Sequence, residues 1–240
     1  MKRIITLSMA VVSSATFSQV LGGMDHINVV GPDLVSTAAN GRIEVSTDLP
    51  ETSRMVIDDF YADQNILKTV EMAFENTSTL DIDRPNGWRI SIWSSATDAA
   101  ASGNDLTGNV VQTTYVDFAT GSWTTTPLFG TGATNFASKI TFSNLNLDIG
   151  TGVRYIGVAP VQASTNQIKW RILAHKNPFL LGNNTANDSL GINPGGGLGL
   201  GTLYSVGTNA AYSVELVPEP LSFLALGLGL VALTKKRRAH

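Results

Sequence analysis

The chain contains no cysteine in its 240 residues. This absence excludes a disulfide framework, a thiolate metal site and a cysteine nucleophile. Charged residues are also scarce, at 15% of the sequence, and the formal net charge of −3 excludes the strongly basic surface of a nucleic-acid-binding protein. We therefore expect no nucleic-acid partner. The chain is nevertheless long enough to bury a stable core without covalent cross-links.

Several motifs of common enzyme classes are absent as well. The sequence has no Gly-x-Ser-x-Gly elbow, no His-Glu-x-x-His helix and no Gly-Lys-Ser/Thr phosphate loop. Away from the chain ends there are only two histidines, His26 and His175, and their wide separation does not indicate a zinc pair. The glycine-rich run 194–201 lacks Gly-x-Gly-x-x-Gly spacing, so we interpret it as a flexible connection before the last strand.

Basic residues are concentrated at the two ends of the chain. Lys2 and Arg3 stand at the start, and four more basic residues stand close to the C-terminus. The sequence between these groups holds ten basic and nineteen acidic residues, a formal net charge of −9. Such an asymmetry is typical of a targeted protein whose ends are recognised at membranes.

The N-terminal segment has the three-part layout of a secretory signal peptide. Met1–Arg3 is positively charged, Ile4–Val12 is apolar, and small residues follow at Ser13–Ala15. We therefore predict that residues 1–18 are a signal peptide. The predicted consequences are export and cleavage by signal peptidase.

The C-terminal segment combines prolines, an apolar run and a basic end. Val217–Pro220 is followed by thirteen uncharged residues, Leu221–Leu233, and the prolines place the start of a helix near Leu221. Thirteen helical residues reach about 20 Å, short of the roughly 30 Å hydrocarbon core. We expect a transient anchor in the inner membrane, with the basic tail cytoplasmic. The tail residues are Lys235, Lys236, Arg237 and Arg238.

The order of these three parts resembles the PEP-CTERM sorting signal of Gram-negative envelope proteins. The resemblance covers Val217–Arg238. It implies that Pro218, Glu219 and Pro220 are recognised by an exosortase, a membrane transpeptidase thought to remove the tail. It also implies a destination at the cell surface or in an exopolysaccharide matrix.

Residues 25–216 have the pattern of an all-β domain. Short runs rich in valine, isoleucine, threonine and aromatic residues alternate with glycine, asparagine, aspartate and proline, and nine such runs favour two packed sheets. The candidate strands are Arg42–Ser46, Met55–Phe60, Thr69–Phe74, Trp88–Trp93, Val110–Phe118, Lys139–Phe142, Val153–Val158, Ile168–Ala174 and Ala211–Leu216.

The strand order resembles the sandwich ectodomains that often precede PEP-CTERM tails. The similarity is carried by Val56–Phe60, Trp88–Trp93, the pair Leu145–Leu147 and Tyr155–Val158, and Tyr212–Leu216. It implies a jelly-roll-like β-sandwich, flanked by the signal peptide and a short transmembrane sorting helix, and it names no site residue.

Alternation along the strands assigns the tryptophans to different environments. Trp88 and Trp170 share faces with isoleucines and are predicted to lie in the core, whereas Trp93 and Trp123 are expected to reach solvent. Exposed aromatic rings can stack on sugars, so Trp93, Trp123 and Tyr61 are the candidate carbohydrate-binding residues. The same alternation places Glu71 and Glu75 on a polar face.

Two pairs of carboxylates remain to be interpreted. Asp58 and Asp59 are neighbours on a strand and cannot face each other, so we expect one to be buried and hydrogen-bonded and the other solvated. Asp81 and Asp83 can point the same way beside the turn at Pro85, and such an oxygen-rich loop is a candidate calcium site. The alternative is a solvated hairpin end. No other cofactor is expected.

These observations favour an exported, non-enzymatic envelope or extracellular-matrix protein that an exosortase processes. The expected role is structural or adhesive, with exopolysaccharide as the expected partner. One alternative is a carbohydrate-binding module that uses exposed tryptophans. A secreted hydrolase is disfavoured by the missing motifs, and two carboxylates facing each other across an open cleft would support it.

Overall fold

The fold is described from a computed structural model. It describes residues 34–36, 42–77, 84–130, 136–166, 168–175, 189–199, 201–207 and 209–218. The predicted signal peptide, Glu219 and Pro220, the sorting helix and the basic tail lie outside the described residues. So do Asp81 and Asp83.

The described part of the chain is almost entirely β-structure. Its one α-helix, α1, is short and spans Ala96–Ala100. The strands are β1 Leu34–Ser36, β2 Arg42–Ile43, β3 Val45–Ser46, β4 Met55–Ala62, β5 Ile66–Asn76, β6 Gly87–Trp93, β7 Gln112–Asp117, β8 Trp123–Gly130, β9 Phe136–Phe142, β10 Leu147–Asp148, β11 Gly152–Gln162, β12 Trp170–His175, β13 Leu190–Ile192, β14 Leu203–Ser205 and β15 Tyr212–Val217.

These strands form two sheets, consistent with a β-sandwich. Sheet I has the order β1-β12-β5-β9-β8, with β2 on β12 and with β10 and β15 on β5. Sheet II has the order β14-β13-β4-β11-β6-β7, with β3 on β11. Every pair is antiparallel except β3 with β11. The all-β prediction and the two-sheet prediction are therefore confirmed.

Aromatic rings from both sheets meet in the core around Trp88. Trp88 lies on β6 of sheet II, and its ring centroid is 5.0 Å from that of Trp170, 5.4 Å from that of Phe74 and 5.7 Å from that of Phe142, all of sheet I. Edge-to-face and tilted contacts of this kind stabilise beyond the area that they bury. The core positions predicted for Trp88 and Trp170 are confirmed.

All nine predicted strands coincide with observed ones, although their ends differ. The predicted strand Arg42–Ser46 is divided into β2 and β3 at Glu44, whose backbone bridges to Arg54. Five strands were not predicted: β1, β8, β10, β13 and β14. Four of them have only two or three residues, which is too short for alternation to be visible in the sequence.

The glycine-rich run forms the loop between β13 and β14 and packs against the short 3-10 turn Pro50–Thr52. The Gly197 N–H donates to the Glu51 carbonyl at 3.1 Å, and a Cβ at Gly195 or Gly197 would come within 2.6 Å of Glu51 backbone atoms. Glycine at these two positions therefore permits a close approach between two segments, and the flexibility of the connection stays a prediction.

The segment between β6 and β7 covers the outer face of sheet II. Ser95 caps α1, and its Oγ accepts from the Asp98 N–H at 3.1 Å. Beyond the helix, the Leu106 carbonyl accepts from Ser91 Oγ at 2.7 Å, and the Gly108 carbonyl accepts from Trp93 Nε1 at 3.1 Å. Side chains of β6 are consequently buried on both faces of the sheet.

A buried carboxylate links sheet II to sheet I. Asp58 lies on β4, and its Oδ2 accepts from Ser189 Oγ at 2.6 Å and from the Ala210 N–H at 2.9 Å. Ala210 bridges to β12 just before β15 begins. Two residues later, the Tyr212 hydroxyl donates to the Asp59 carbonyl at 2.7 Å. Two side-chain hydrogen bonds therefore attach the last strand to the opposite sheet.

Two carboxylate expectations are corrected by this packing. Asp58 and Asp59 are both buried, at 2% and 4% exposure, so neither is solvated. The expectation that one of the two is solvated is therefore wrong, and Tyr212 and β11 lie against the backbone of Asp59. Glu75 is also buried rather than on an open polar face, and its neighbours across sheet I are Ala137 of β9 and Arg171 of β12.

Burial raises the pKa of Asp58 to about 7, although three hydrogen bonds to its oxygens act in the opposite direction. A raised folded-state pKa means that the folded protein holds this proton more tightly than the unfolded chain. The stabilisation is complete below about pH 4 and is lost as the pH rises through about 7.

We predict that Asp58→Asn removes this part of the pH dependence. Between pH 5 and pH 8, the free energy of unfolding of the native chain should fall relative to that of Asp58→Asn by about 1–3 kcal/mol. Urea unfolding at each pH measures it. Asp63→Asn, an exposed carboxylate just beyond β4, is the control and should follow the native curve. A constant difference between the native chain and Asp58→Asn would contradict the prediction.

Candidate functional site

An open polar cleft lies at one end of the sandwich, where β11 and β3 end and β6 begins. Its volume is about 450 Å³, within the range of small-molecule sites. Of the seven described residues that line it, six are polar. They are Thr47, Arg84, Asn86, Gln162, Ala163, Thr165 and Asn166.

The floor of the cleft is held by amide side chains. Gln162, the last residue of β11, is 2% exposed, and its Nε2 donates to the Ile168 carbonyl at 3.2 Å. The Asn166 amide donates to Gln162 Oε1 at 3.4 Å, and Asn166 Oδ1 accepts from the Ile168 N–H at 2.8 Å. These bonds close the turn after β11 and fix the direction of both amides.

Asp48 and Lys169 support one side of the cleft. Asp48 Oδ1 accepts from the Ser164 N–H at 2.6 Å and from Ser46 Oγ at 2.9 Å, and its Oδ2 accepts from Thr165 Oγ1 at 3.4 Å. These hydrogen bonds hold the pKa of the Asp48 carboxyl well below its usual range, and the bond from the Ser164 N–H has the largest effect. Lys169 Nζ donates to the Ser164 carbonyl at 2.7 Å. Asp48 and Lys169 therefore both hold the turn 163–166 in place through the Ser164 backbone.

Arg84 and two aromatic rings form the other side. The Arg84 guanidinium lies over the Phe118 ring, 5.4 Å from its centroid, and Phe118 packs against Trp123 at 4.9 Å. The Phe118 carbonyl accepts from Trp123 Nε1 at 3.0 Å. The backbone of Asn86 joins this group to β11, since its N–H donates to Val161 and its carbonyl accepts from Phe118. The exposed guanidinium is therefore backed by a packed aromatic pair.

The lining offers hydroxyl, amide and guanidinium groups. Such groups donate and accept hydrogen bonds, and they suit a ligand rich in hydroxyls. None of the described residues that line the cleft carries a carboxylate or an imidazole. The arrangement that would favour the hydrolase alternative, two carboxylates across an open cleft, is therefore not formed by these residues.

The structure separates the three aromatic residues that the sequence singled out. Trp93 is fully buried, so its predicted exposure is wrong. The physical reason is the segment after α1, whose Gly108 carbonyl binds the indole N–H. Trp123 is half-buried and stands beside the cleft, where its ring contacts Trp88 at 6.1 Å.

Tyr61 is 45% exposed but lies at the far end of the sandwich from the cleft. It pairs with Val153 near the start of β11, whereas the cleft lies at the end of that strand. An extended strand of this length spans about 30 Å. Tyr61 and Trp123 therefore cannot contact one sugar ring together.

The remaining predicted site residues lie at or beyond the limits of the described chain. Pro218 directly follows β15, and Glu219 and Pro220 lie outside the described residues. The calcium prediction for Asp81 and Asp83 also falls outside them. Within the described ranges, no cluster of three or more histidine and acidic side chains could hold a metal ion. No helix in those ranges has the length and apolarity to span a membrane.

Sequence reasoning did not identify Arg84, Gln162 or Thr165 as site residues. Arg84 precedes Gln162 and Thr165 by about a third of the chain, and the pairing of β6 with β11 brings them together. The turn Pro85–Gly87 was visible in the sequence, and it was the one local indication that a loop end lies here.

The burial of Trp93 leads to a stability prediction. Trp93→Ala should lower the free energy of unfolding by about 3–5 kcal/mol, because it leaves a cavity and an unpaired Gly108 carbonyl. Tyr61→Ala, which removes an exposed ring, is the comparison and should cost less than about 1 kcal/mol. Urea unfolding measures both. Equal, small losses would show that Trp93 is not buried as described.

Comparisons of this chain with protein-family models, with curated proteins and with solved structures find no match.

Proposed function

We propose that this chain is an exported, non-enzymatic protein of the bacterial envelope or extracellular matrix. In this proposal it is a jelly-roll-like sandwich whose C-terminal tail an exosortase removes at Pro218–Pro220. The observation that carries the proposal is the position of β15. This strand ends at Val217, and the recognition residues begin at the next position.

The bonding of β15 supports cleavage at that point. All six residues of the strand pair with β5, and the side chains of Val214 and Leu216 are buried in the core. Asp58 and Tyr212 hold its start, and Thr69 Oγ1 donates to Glu215 Oε2 at 2.6 Å near its end. The pairing of the strand with β5 is therefore complete before Pro218. Removal of the tail would leave these hydrogen bonds intact.

The charge of the chain supports a structural or adhesive role beside exopolysaccharide. Without its two basic ends the protein has a formal net charge of −9. An anionic surface resists adsorption to anionic lipid and nucleic acid. Cationic partners or Ca²⁺ bridging would suit it, and a calcium site at Asp81 and Asp83 stays a prediction.

We predict that the mature protein lacks both ends. Expressed in a Gram-negative host that has an exosortase, the chain should begin near residues 15–19 and end near Pro218–Pro220. Glu219→Ala should retain the tail, because it removes the only charge of the recognition sequence. Intact-mass measurement of envelope material reads both termini.

The control is Asp63→Ala, which removes an exposed carboxylate outside β15 and should be processed like the native chain. The same host without its exosortase should leave the tail in place. Most molecules ending at Arg238–His240 in the exosortase-positive host would contradict the proposal, and so would equal processing of Glu219→Ala.

A further inference from the structure

Four basic side chains lie close together where β2 pairs with the start of β12. They are Arg42, Arg54, Lys169 and Arg171, and we call them the basic patch. The sequence between the two basic chain ends contains only ten basic residues and has a formal net charge of −9. Four of these ten residues are therefore gathered at one point of an acidic protein.

Two arginines of the basic patch are directly opposite each other. Arg42 of β2 pairs with Arg171 of β12, and the adjacent Ile43 and Trp170 are buried in the core, so both arginines lie on the outer face of sheet I. Both are half-buried. The Cβ atoms of such a pair are about 5 Å apart, and like charges at this spacing repel each other. Among the described residues, neither guanidinium forms an ion pair or a hydrogen bond that would offset this repulsion.

The two carboxylates beside the basic patch do not neutralise it. Glu44 Oε1 is 3.8 Å from an Arg54 nitrogen. Burial raises the pKa of Glu44, and the cations of the basic patch, Arg54 foremost, act in the opposite direction. Arg54 Nε is buried and has no acceptor among the described residues. Glu75 lies opposite Arg171 on the other side of β12 and is buried. Four cations set against these two acids leave a local surplus of positive charge.

We propose that the basic patch binds the carboxylate of an acidic sugar. Two neighbouring guanidiniums can donate to the oxygens of one carboxylate, and such charge-assisted hydrogen bonds are stronger than neutral ones. One bound carboxylate would also offset the repulsion between Arg42 and Arg171. The site itself rests on the basic patch, and the choice of a polysaccharide as the source of the sugar rests on the proposed function.

The position of the polar cleft supports a sugar as the carrier of the carboxylate. Lys169 is two residues from Arg171, about 7 Å along an extended chain. Its Nζ donates to the Ser164 carbonyl in the turn 163–166. The cleft on this turn is lined by the exposed side chains of Thr47 and Thr165. Threonine hydroxyls both donate and accept, as sugar hydroxyls do. A sugar bound through its carboxylate can therefore direct its hydroxyls toward the cleft.

The net charge of the protein selects a sparsely charged polysaccharide over a dense polyanion. Outside the basic patch the protein is acidic, and its field repels a long chain that is charged at every unit, such as nucleic acid. A polysaccharide with occasional uronate units presents one carboxylate to the basic patch and neutral sugars to the rest of the surface.

The test is calorimetry of the purified full-length chain with a gluco-oligosaccharide that carries a single glucuronate, compared with the same oligosaccharide without it. The glucuronate should raise the affinity about tenfold or more. Arg171→Gln and Arg42→Gln should each remove most of this gain. Arg89→Gln is the matched control, because it removes one charge from a half-buried arginine on β6 of sheet II, and it should change affinity less than twofold.

Melting temperatures separate a loss of binding from a loss of folding. Without ligand and at low salt, Arg171→Gln and Arg42→Gln should melt no lower than the native chain, because each removes a repulsion between like charges. The glucuronate oligosaccharide should raise the melting temperature of the native chain and of Arg89→Gln, but not of the other two variants. Added NaCl should weaken binding.

Four results would overturn the proposal. They are equal affinities for the two oligosaccharides, equal losses for Arg171→Gln and Arg89→Gln, lower melting temperatures of both patch variants without ligand, and binding of inorganic phosphate or a DNA duplex as tight as that of the glucuronate oligosaccharide. The mass of the mature chain is read separately. A failure here therefore leaves the processing proposal intact, and a failure of processing leaves this site standing.

Discussion

The hydrogen bonds to the buried Asp58 carboxylate are the interactions on which the arrangement of the two sheets depends most. The carboxylate lies on β4 of sheet II and accepts hydrogen bonds from Ser189 and Ala210. Ala210 belongs to the segment that enters β15 of sheet I, so one buried group fixes the crossing between sheets. Burial makes this acid costly to charge even though three donors point at its oxygens, and the bonds to those donors fix the segment that enters β15.

The same packing positions the end of β15 and the polar cleft. Because β15 is fixed at its start and paired to its end, its pairing with β5 is complete at Val217, directly before the residues proposed for exosortase recognition. The cleft lies at the opposite end of the long strands. Gln162 is the last residue of β11 and lines the cleft, and the neighbouring strand β6 begins just after Arg84 and Asn86. The strand register therefore places the cleft, and the buried link fixes the segment that enters β15.

Part of this structure could be predicted from local sequence. Trp88, Ile90 and Ile92 alternate with polar residues, and this period of two was enough to identify β6 and its core face. The same rule failed for Trp93, because its outer face is covered by the segment after α1. Coverage of a face depends on residues outside the strand, which alternation within the strand does not report.

The missed elements have similar causes. β8 contains Pro127, and a proline in the sequence argues against a strand. β8 nevertheless pairs with β9, because a strand that is paired on one side tolerates a proline. The register of this pairing shifts beside Pro127. The sequence showed Asp58 and Asp59 as an adjacent pair, and it could not show that the Ala210 N–H, more than a hundred residues away, would meet one of them. The cleft likewise requires the pairing of β6 with β11 before its residues become neighbours.

The most direct test of the account is the stability of the chain ended after Pro218 against that of the full chain, measured by urea unfolding at pH 7. If β15 has all of its partners before Pro218, the two free energies of unfolding should agree within about 0.5 kcal/mol. A loss of several kcal/mol in the shortened chain would contradict it, because the tail would then be part of the folded domain.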